Sequence, residues 1–358
     1  MNWIRPSNST ALSGALLLLA LLSHTLRQDY TTTLLLLVST FIAGAPIVLK
    51  ALRSLKAKAF SIELLISISL AGALFIGEYV EAAALSFLFA LGAYLEKAAL
   101  RRIRNALGSR GEAFSETVDP ATRTQMIERL EEAQESQAQA GGHQFLQRFA
   151  RIYTPLILGL SVLVYLIADN VAQALTFLVI ACPGALVISV PASLAAGLAN
   201  AAGKGIFMRD AAALERLAAA DTVLFHSPSI ATESDSPMGL LQLRGHTVAL
   251  VSDADTPGDE RAAADVDIVM GTRPGLFIDD ADIVIWSERP ADVDRAKNLA
   301  LATVANMKQN TYFSLGTAAL LLAGVSVGSI QMASGMFLHE AGMLLVILNA
   351  LRLLRHGQ

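Results

Sequence analysis

Ala181-Cys182-Pro183-Gly184-Ala185-Leu186-Val187-Ile188-Ser189-Val190-Pro191 closes an apolar run that covers 171–190. Two prolines and a glycine decide the shape of that run. A proline has no amide hydrogen, and its ring clashes with the carbonyl four residues back. Pro183 therefore frees the Val179 carbonyl, and Pro191 frees that of Val187. The sequence predicts a broken helix. Within a bilayer, broken helices persist only where they are buried in protein or line a cavity. Cys182, the single cysteine of the chain, sits at the break. Its thiolate would be a soft metal ligand. A lone buried cysteine also packs well as a small hydrophobe, and one cysteine excludes an internal disulfide.

Around this run the chain is 54% hydrophobic and only 16% charged over 358 residues, and its mean hydropathy is +0.51. A soluble protein of this size carries far more charge. Apolar stretches at 9–26, 31–49, 61–77, 80–97, 154–169, 171–190, 311–330 and 335–353 are long enough to cross, or nearly cross, a bilayer. The first has only Arg5 ahead of it and no small-residue cleavage site, so it reads as a retained span. Basic residues alternate with these spans. Lys50, Arg53, Lys56 and Lys58 form one group; Lys97, Arg101, Arg102 and Arg104 a second; Arg352 and Arg355 a third. The opposite connections, 27–30, 78–79, 170 and 331–334, carry only Arg27. The expectation is a predominantly α-helical, multi-pass protein of the cell membrane, with eight transmembrane helices and both termini cytoplasmic. The net charge of -4 is small and spread along the chain, so the lipid bilayer is the expected partner and nucleic acid is not.

The predicted organisation is helices one to four over 1–97, then a short polar segment over 98–153, helical around Thr124–Glu135. Helices five and six with the Cys-Pro break cover 154–190. A cytoplasmic unit covers 191–310, and helices seven and eight cover 311–358. In the cytoplasmic unit, strands are expected at Thr222–Phe225, Thr247–Val251, Val266–Met270 and Asp282–Trp286. Helices are expected at Asp210–Ala220 and Pro290–Lys308. That alternation predicts a small α/β unit with a parallel sheet.

The last span places His339 and Glu340 in an apolar run. An ionisable residue in a span is costly, and it faces the bundle interior or a cavity. Imidazole, carboxylate and thiolate together suit a divalent transition metal such as zinc, cobalt, nickel or ferrous iron. The candidate metal residues are thus Cys182, His339 and Glu340, with Pro183, Gly184 and Pro191 shaping the helix break. Met336 and Met343, one turn either side of His339, read as core packing. Glu78 and Glu81, at the opposite end of a span, are pathway candidates or helix-end charges.

These residues carry a resemblance. The Cys-Pro break, Gly77-Glu78-Tyr79-Val80-Glu81, Arg148 to Pro155, Gly203-Lys204-Gly205-Ile206 with Leu214-Glu215, and Leu338-His339-Glu340 with Leu348-Asn349-Ala350-Leu351-Arg352 occur in collinear order. The chain resembles the heavy-metal-transporting P-type ATPases, in their zinc- and cobalt-type branch. The resemblance implies that 191–310 is a reduced, Rossmann-like phosphorylation domain.

The chain also departs from that pattern. The family's Asp-Lys-Thr-Gly-Thr stretch corresponds here to His226-Ser227-Pro228-Ser229-Ile230, so His226 replaces the phosphorylated aspartate. Imidazole cannot form the acyl phosphate that a carboxylate forms. Asp253 alone survives of the magnesium-positioning motif. Short stretches, Thr232 to Gly245 and Leu107 to Pro120, stand where the family inserts its nucleotide-binding and actuator domains. Gly184 stands where relatives often carry a second ligand. The expectation is a pseudo-ATPase without enzyme activity and without use of ATP or magnesium, which binds or conducts metal cations or regulates their transport. Alternatives are a metal transporter energised by a partner ATPase or an ion gradient, and a non-catalytic scaffold, self-associating or relic.

Overall fold

The computed structural model describes residues 6–25, 29–56, 62–115, 142–181, 184–226, 237–253, 255–272 and 281–357. These fall into two compact units. One comprises Met1–Ala99, Gly142–Ile188 and Thr311–Ile347; the other comprises Leu100–Gly141, Ser189–Asn310 and Leu348–Gln358.

The first unit is helical. Its elements are α1 (Pro6–Thr25), α2 (Asp29–Lys56), α3 (Ile62–Phe75), the start of α4 (Tyr79–Ser115), α5 (Gly142–Ala168), α6 (Val171–Ile180), the first turn of α7 (Gly184–Ala202), the C-terminal part of a long helix Ala291–Ser326, and most of Met332–Leu351. Three helical stretches are long and apolar enough to cross a membrane: Asp29–Lys56, Val171–Ala202, which runs across residues 182 and 183 outside the described set, and Met332–Arg355. Ser9–Ser23, Glu63–Phe75, Tyr79–Leu95 and Ile152–Ala168 are shorter apolar helices. The seventh expected span, 311–330, lies largely within the helix Ala291–Ser326. Large apolar side chains face outward, among them Leu18 at 69% exposure, Phe75 at 92% and Ile167 at 78%. An apolar exterior of that kind fits a lipid environment. Inside, Ile47, Ile66, Leu70, Leu85, Val179 and Met336 form one buried cluster.

Asn170 accepts from the Gln173 amide at 3.1 Å and starts α6. That helix stops at Ile180, and α7 starts at Gly184. Cys182 and Pro183 themselves lie outside the described residues. Pro191 corrects the expectation of a second break, because it sits inside a continuous α7. A proline removes one amide donor, and close packing around Ala192, Ser193 and Ala196, all 0% exposed, holds the helix together there.

The second unit is built on a five-stranded sheet. Its strands are β1 (Ile206–Met208), β2 (Thr222–Phe225), β3 (Val248–Ser252), β4 (Val266–Met270) and β5 (Ile283–Ile285), in the order β1-β5-β4-β3-β2. The pairs β2–β3, β3–β4 and β4–β5 are parallel, and β1 adds antiparallel to β5. The expected all-parallel sheet is therefore a mixed one, and β1 is the strand the sequence reading lacks. Helices α8 (Ala211–Ala219), α9 (Pro237–Leu243), α10 (Gly258–Ala262) and α11 (Ala291–Ser326) accompany it, and α12 (Met332–Leu351) follows. Asp210 caps α8, accepting from the Ala213 amide at 2.7 Å. Leu214, Leu217, Ile268, Ile283, Ile285 and Leu299 form its core. The helix expected at Thr124–Glu135 lies outside the described residues.

Candidate metal site in the helical unit

On α12, Met332, Met336, His339, Glu340, Met343 and Val346 are all buried. Met336 packs in the apolar cluster with Ile47 and Leu70. His339 and Glu340 are each only 7% exposed. Successive helical residues point about 100° apart, and these two address different neighbours. The Glu340 carboxylate lies against Gly92 of α4, so closely that a Cβ on residue 92 would overlap it. The glycine makes the seat. His339 instead lines a cavity of about 220 Å³ with Tyr153, Leu186, Phe313, Ser314 and Thr317. The Tyr153 hydroxyl donates to the Ala181 carbonyl, the last described group before Cys182.

Histidine, hydroxyls and the edge of the helix break thus share one cavity, and the carboxylate sits on another face of the same helix. Among the described residues, no three His, Cys, Asp or Glu side chains come close enough to hold a metal ion. Cys182 lies outside them. The sequence reading missed Gly92, Tyr153, Ser314 and Thr317. A hydroxyl or a glycine in a span carries no distinguishing signal until its neighbours are known.

The other sequence candidates are elsewhere. Glu78 is exposed at the turn before α4. Glu81, in the first turn of α4, accepts from the backbone amide of Met332, the first residue of α12. A carboxylate at a helix N-terminus is favoured by the unpaired amides and the helix dipole there.

In the second unit, His226 follows β2, and its amide donates to the Val251 carbonyl at 2.6 Å. Its Nδ1 lies 3.6 Å from Glu260 Oε2 on α10. Asp253 follows the neighbouring strand β3. Its Oδ1 accepts from the Asp255 amide at 3.1 Å and the Thr256 hydroxyl at 3.0 Å, which fixes the turn into α10. His226 and Asp253 therefore stand at the carboxyl ends of adjacent parallel strands, the edge at which open α/β sheets carry their sites. Behind that edge, Asp267 is 8% exposed and pairs with Arg261 at 2.9 Å. Burial pushes its carboxyl up to about 6, against the pull of the Arg261 guanidinium. Asp282 accepts from Arg209 and, at 2.7 Å, from Arg216. It is a buried clasp at the edge of the sheet.

No protein-family profile matches the chain. Similarity to curated proteins is partial and consistent. The chain is 37% identical to a cadmium-transporting ATPase of Staphylococcus aureus over 125 residues, which are 32% of this chain and 17% of that protein. It is 39% identical to a zinc/cadmium/lead-transporting P-type ATPase of Escherichia coli over 109 residues, 28% of this chain and 15% of that protein. A longer match, 24% over 297 residues, is to a probable cadmium-transporting ATPase of Alkalihalophilus pseudofirmus, covering 58% of this chain and 41% of that protein. The chain thus spans well under half the length of each of these relatives. Among solved structures, a zinc-transporting PIB-type ATPase in an E2.Pi state matches with a TM-score of 0.60 and 18% identity, over 98% of this chain. At that identity the likeness is one of fold.

The resemblance to heavy-metal-transporting P-type ATPases therefore stands. One expectation does not. The expectation of a non-enzyme rests on His226 in place of the aspartate, on a magnesium motif reduced to Asp253, and on the short stretches in place of two domains. The relatives it matches are named as ATPases, which are enzymes, and the matches cover only part of each. Inactivity does not follow, and neither does the expected non-use of ATP and magnesium.

Proposed function

We propose that the chain takes part in moving divalent transition-metal ions across the cell membrane, with zinc and cadmium the first candidates as cargo. The observation that carries this reading is the burial of His339 and Glu340 inside an apolar helix. Ionisable groups at such depth mark ion pathways. A neutral imidazole and a carboxylate suit zinc, and a cysteine thiolate would favour softer ions such as cadmium. In this proposal the ion meets His339 in the cavity and Cys182 at the helix break, while Glu340 offers its charge from the α4 side. The orientation proposed has both termini and the basic segments on the cytoplasmic side. Eight spans, with the 98–153 segment and the α/β unit between them, remain the proposed organisation.

The test is zinc and cadmium flux into proteoliposomes holding the purified chain, with ATP present and absent. Flux in either condition that falls at least about tenfold in His339→Ala and in Glu340→Gln supports the reading. Flux unchanged in both variants, or none above protein-free vesicles, contradicts it.

A further inference from the structure

The helical unit holds a second cavity, of about 180 Å³, among α1, α2 and α4. On α2 its wall is Ala43, Ile47 and Lys50, spaced four and three residues apart, and so on one helix face. On α4 it is Ala90, Ala93 and Lys97, with the same kind of spacing. Each face begins with small or apolar residues and ends in a lysine. The seven steps from Ala43 to Lys50 span about 10 Å of helix. Phe89 and Pro46 complete an apolar floor. Tyr94, 41% exposed, lines the same cavity, as tyrosines do at the headgroup level of a membrane.

A narrow apolar groove that ends in two ammonium groups is shaped for an amphiphile with an anionic head. The α2 helix is one of those long and apolar enough to cross a membrane, and its last turn is basic. Arg53 lies one turn beyond Lys50 and adds positive charge. Glu63 lies 3.8 Å from Lys50, and both partners are partly exposed. Such pairs are weak and exchange readily for another anion. Basic pockets between membrane helices hold anionic headgroups in this way.

We infer that this groove is a binding site for one anionic phospholipid, its acyl chain against α2 and α4 and its phosphate met by Lys50 and Lys97. The site shares no residue with the proposed metal pathway, so either can fail alone.

The test is native mass spectrometry of the purified full chain, delipidated in detergent and titrated with phosphatidylglycerol, phosphatidylcholine or glycerol 3-phosphate. One phosphatidylglycerol should bind at least about tenfold more tightly than phosphatidylcholine, and the Lys50→Gln/Lys97→Gln double variant should erase that preference. Ala93→Leu, which keeps both charges but fills the groove, should weaken both lipids. Lys308→Gln should change neither. Equal binding of the two lipids overturns the inference. So does a preference that survives the double variant, or glycerol 3-phosphate displacing the lipid at equal concentration. Should the double variant not fold, Ala93→Leu decides: lipid binding unchanged in it overturns the site.

Discussion

Gly92 and Glu340 are fitted to each other. The buried carboxylate occupies the space that any side chain at residue 92 would take. Gly92→Ala should lower the melting temperature of the purified chain, with a cost of about 1–3 kcal/mol from overpacking. Adding Glu340→Ala should return most of that loss, whereas additive losses would separate the two residues. Asp267 offers a second residue-scale prediction. Its carboxyl is pushed up to about 6 by burial, and an unfolded aspartate titrates near 3.9. Between those values the native state holds the proton more tightly. The stabilising contribution is therefore full below about pH 4 and is lost as pH rises through 6. Asp267→Asn should flatten that slope, by something on the order of 2 kcal/mol between pH 4 and pH 7. Thermal melts of wild type and variant across that range measure it. At this scale the sequence displayed His339 and Glu340, because ionisable residues stand out against an apolar run. Adjacent positions on a helix point about 100° apart, but the sequence could not display what each one meets: Gly92 on one side, and Tyr153, Ser314 and Thr317 on the other.

At the scale of elements, the end of α6 at Ile180 and the start of α7 at Gly184 fall where the Cys-Pro-Gly run suggested a change of helix. Pro191 carried the same signal and did not break α7, since packing around Ala192 and Ala196 holds the helix. Strands β2 to β5 were legible as short β-branched runs. The three-residue β1 was not, because Ile206-Phe207-Met208 is too short for a pattern and is a strand only by pairing with β5. Asp282 ties that edge together, through Arg209 and Arg216, and accepts from the Asp267 amide at 3.3 Å. Asp282→Ala should release both guanidinium groups and cost about 2 kcal/mol. Hydrogen exchange should speed up in Ile206–Met208 and Ile283–Ile285 while β2 and β3 change less. Uniform exchange across the sheet would show that the clasp does not hold the edge.

For the whole molecule, composition and charge alternation identified a membrane protein, and the fold neighbours are zinc-transporting PIB-type ATPases. The chain matches named cadmium and zinc ATPases over stretches that fall short of half their length. His226, the surviving Asp253 and the short stretches where the family inserts its domains did not suffice to deny activity to a chain whose relatives are named as ATPases. What the sequence lacked was the meeting of distant parts: Tyr153 with Ala181, His339 with Ser314 and Thr317, and Glu340 with Gly92. The central claim is that this helical unit handles a transition-metal ion at buried donors. Equilibrium zinc binding to the purified chain tests it most directly, measured as metal retained per chain in wild type, His339→Ala, Glu340→Gln and Cys182→Ala. The account predicts saturable binding to the wild type that weakens at least about tenfold in His339→Ala. No saturable binding, or binding equal in all four proteins, would contradict it.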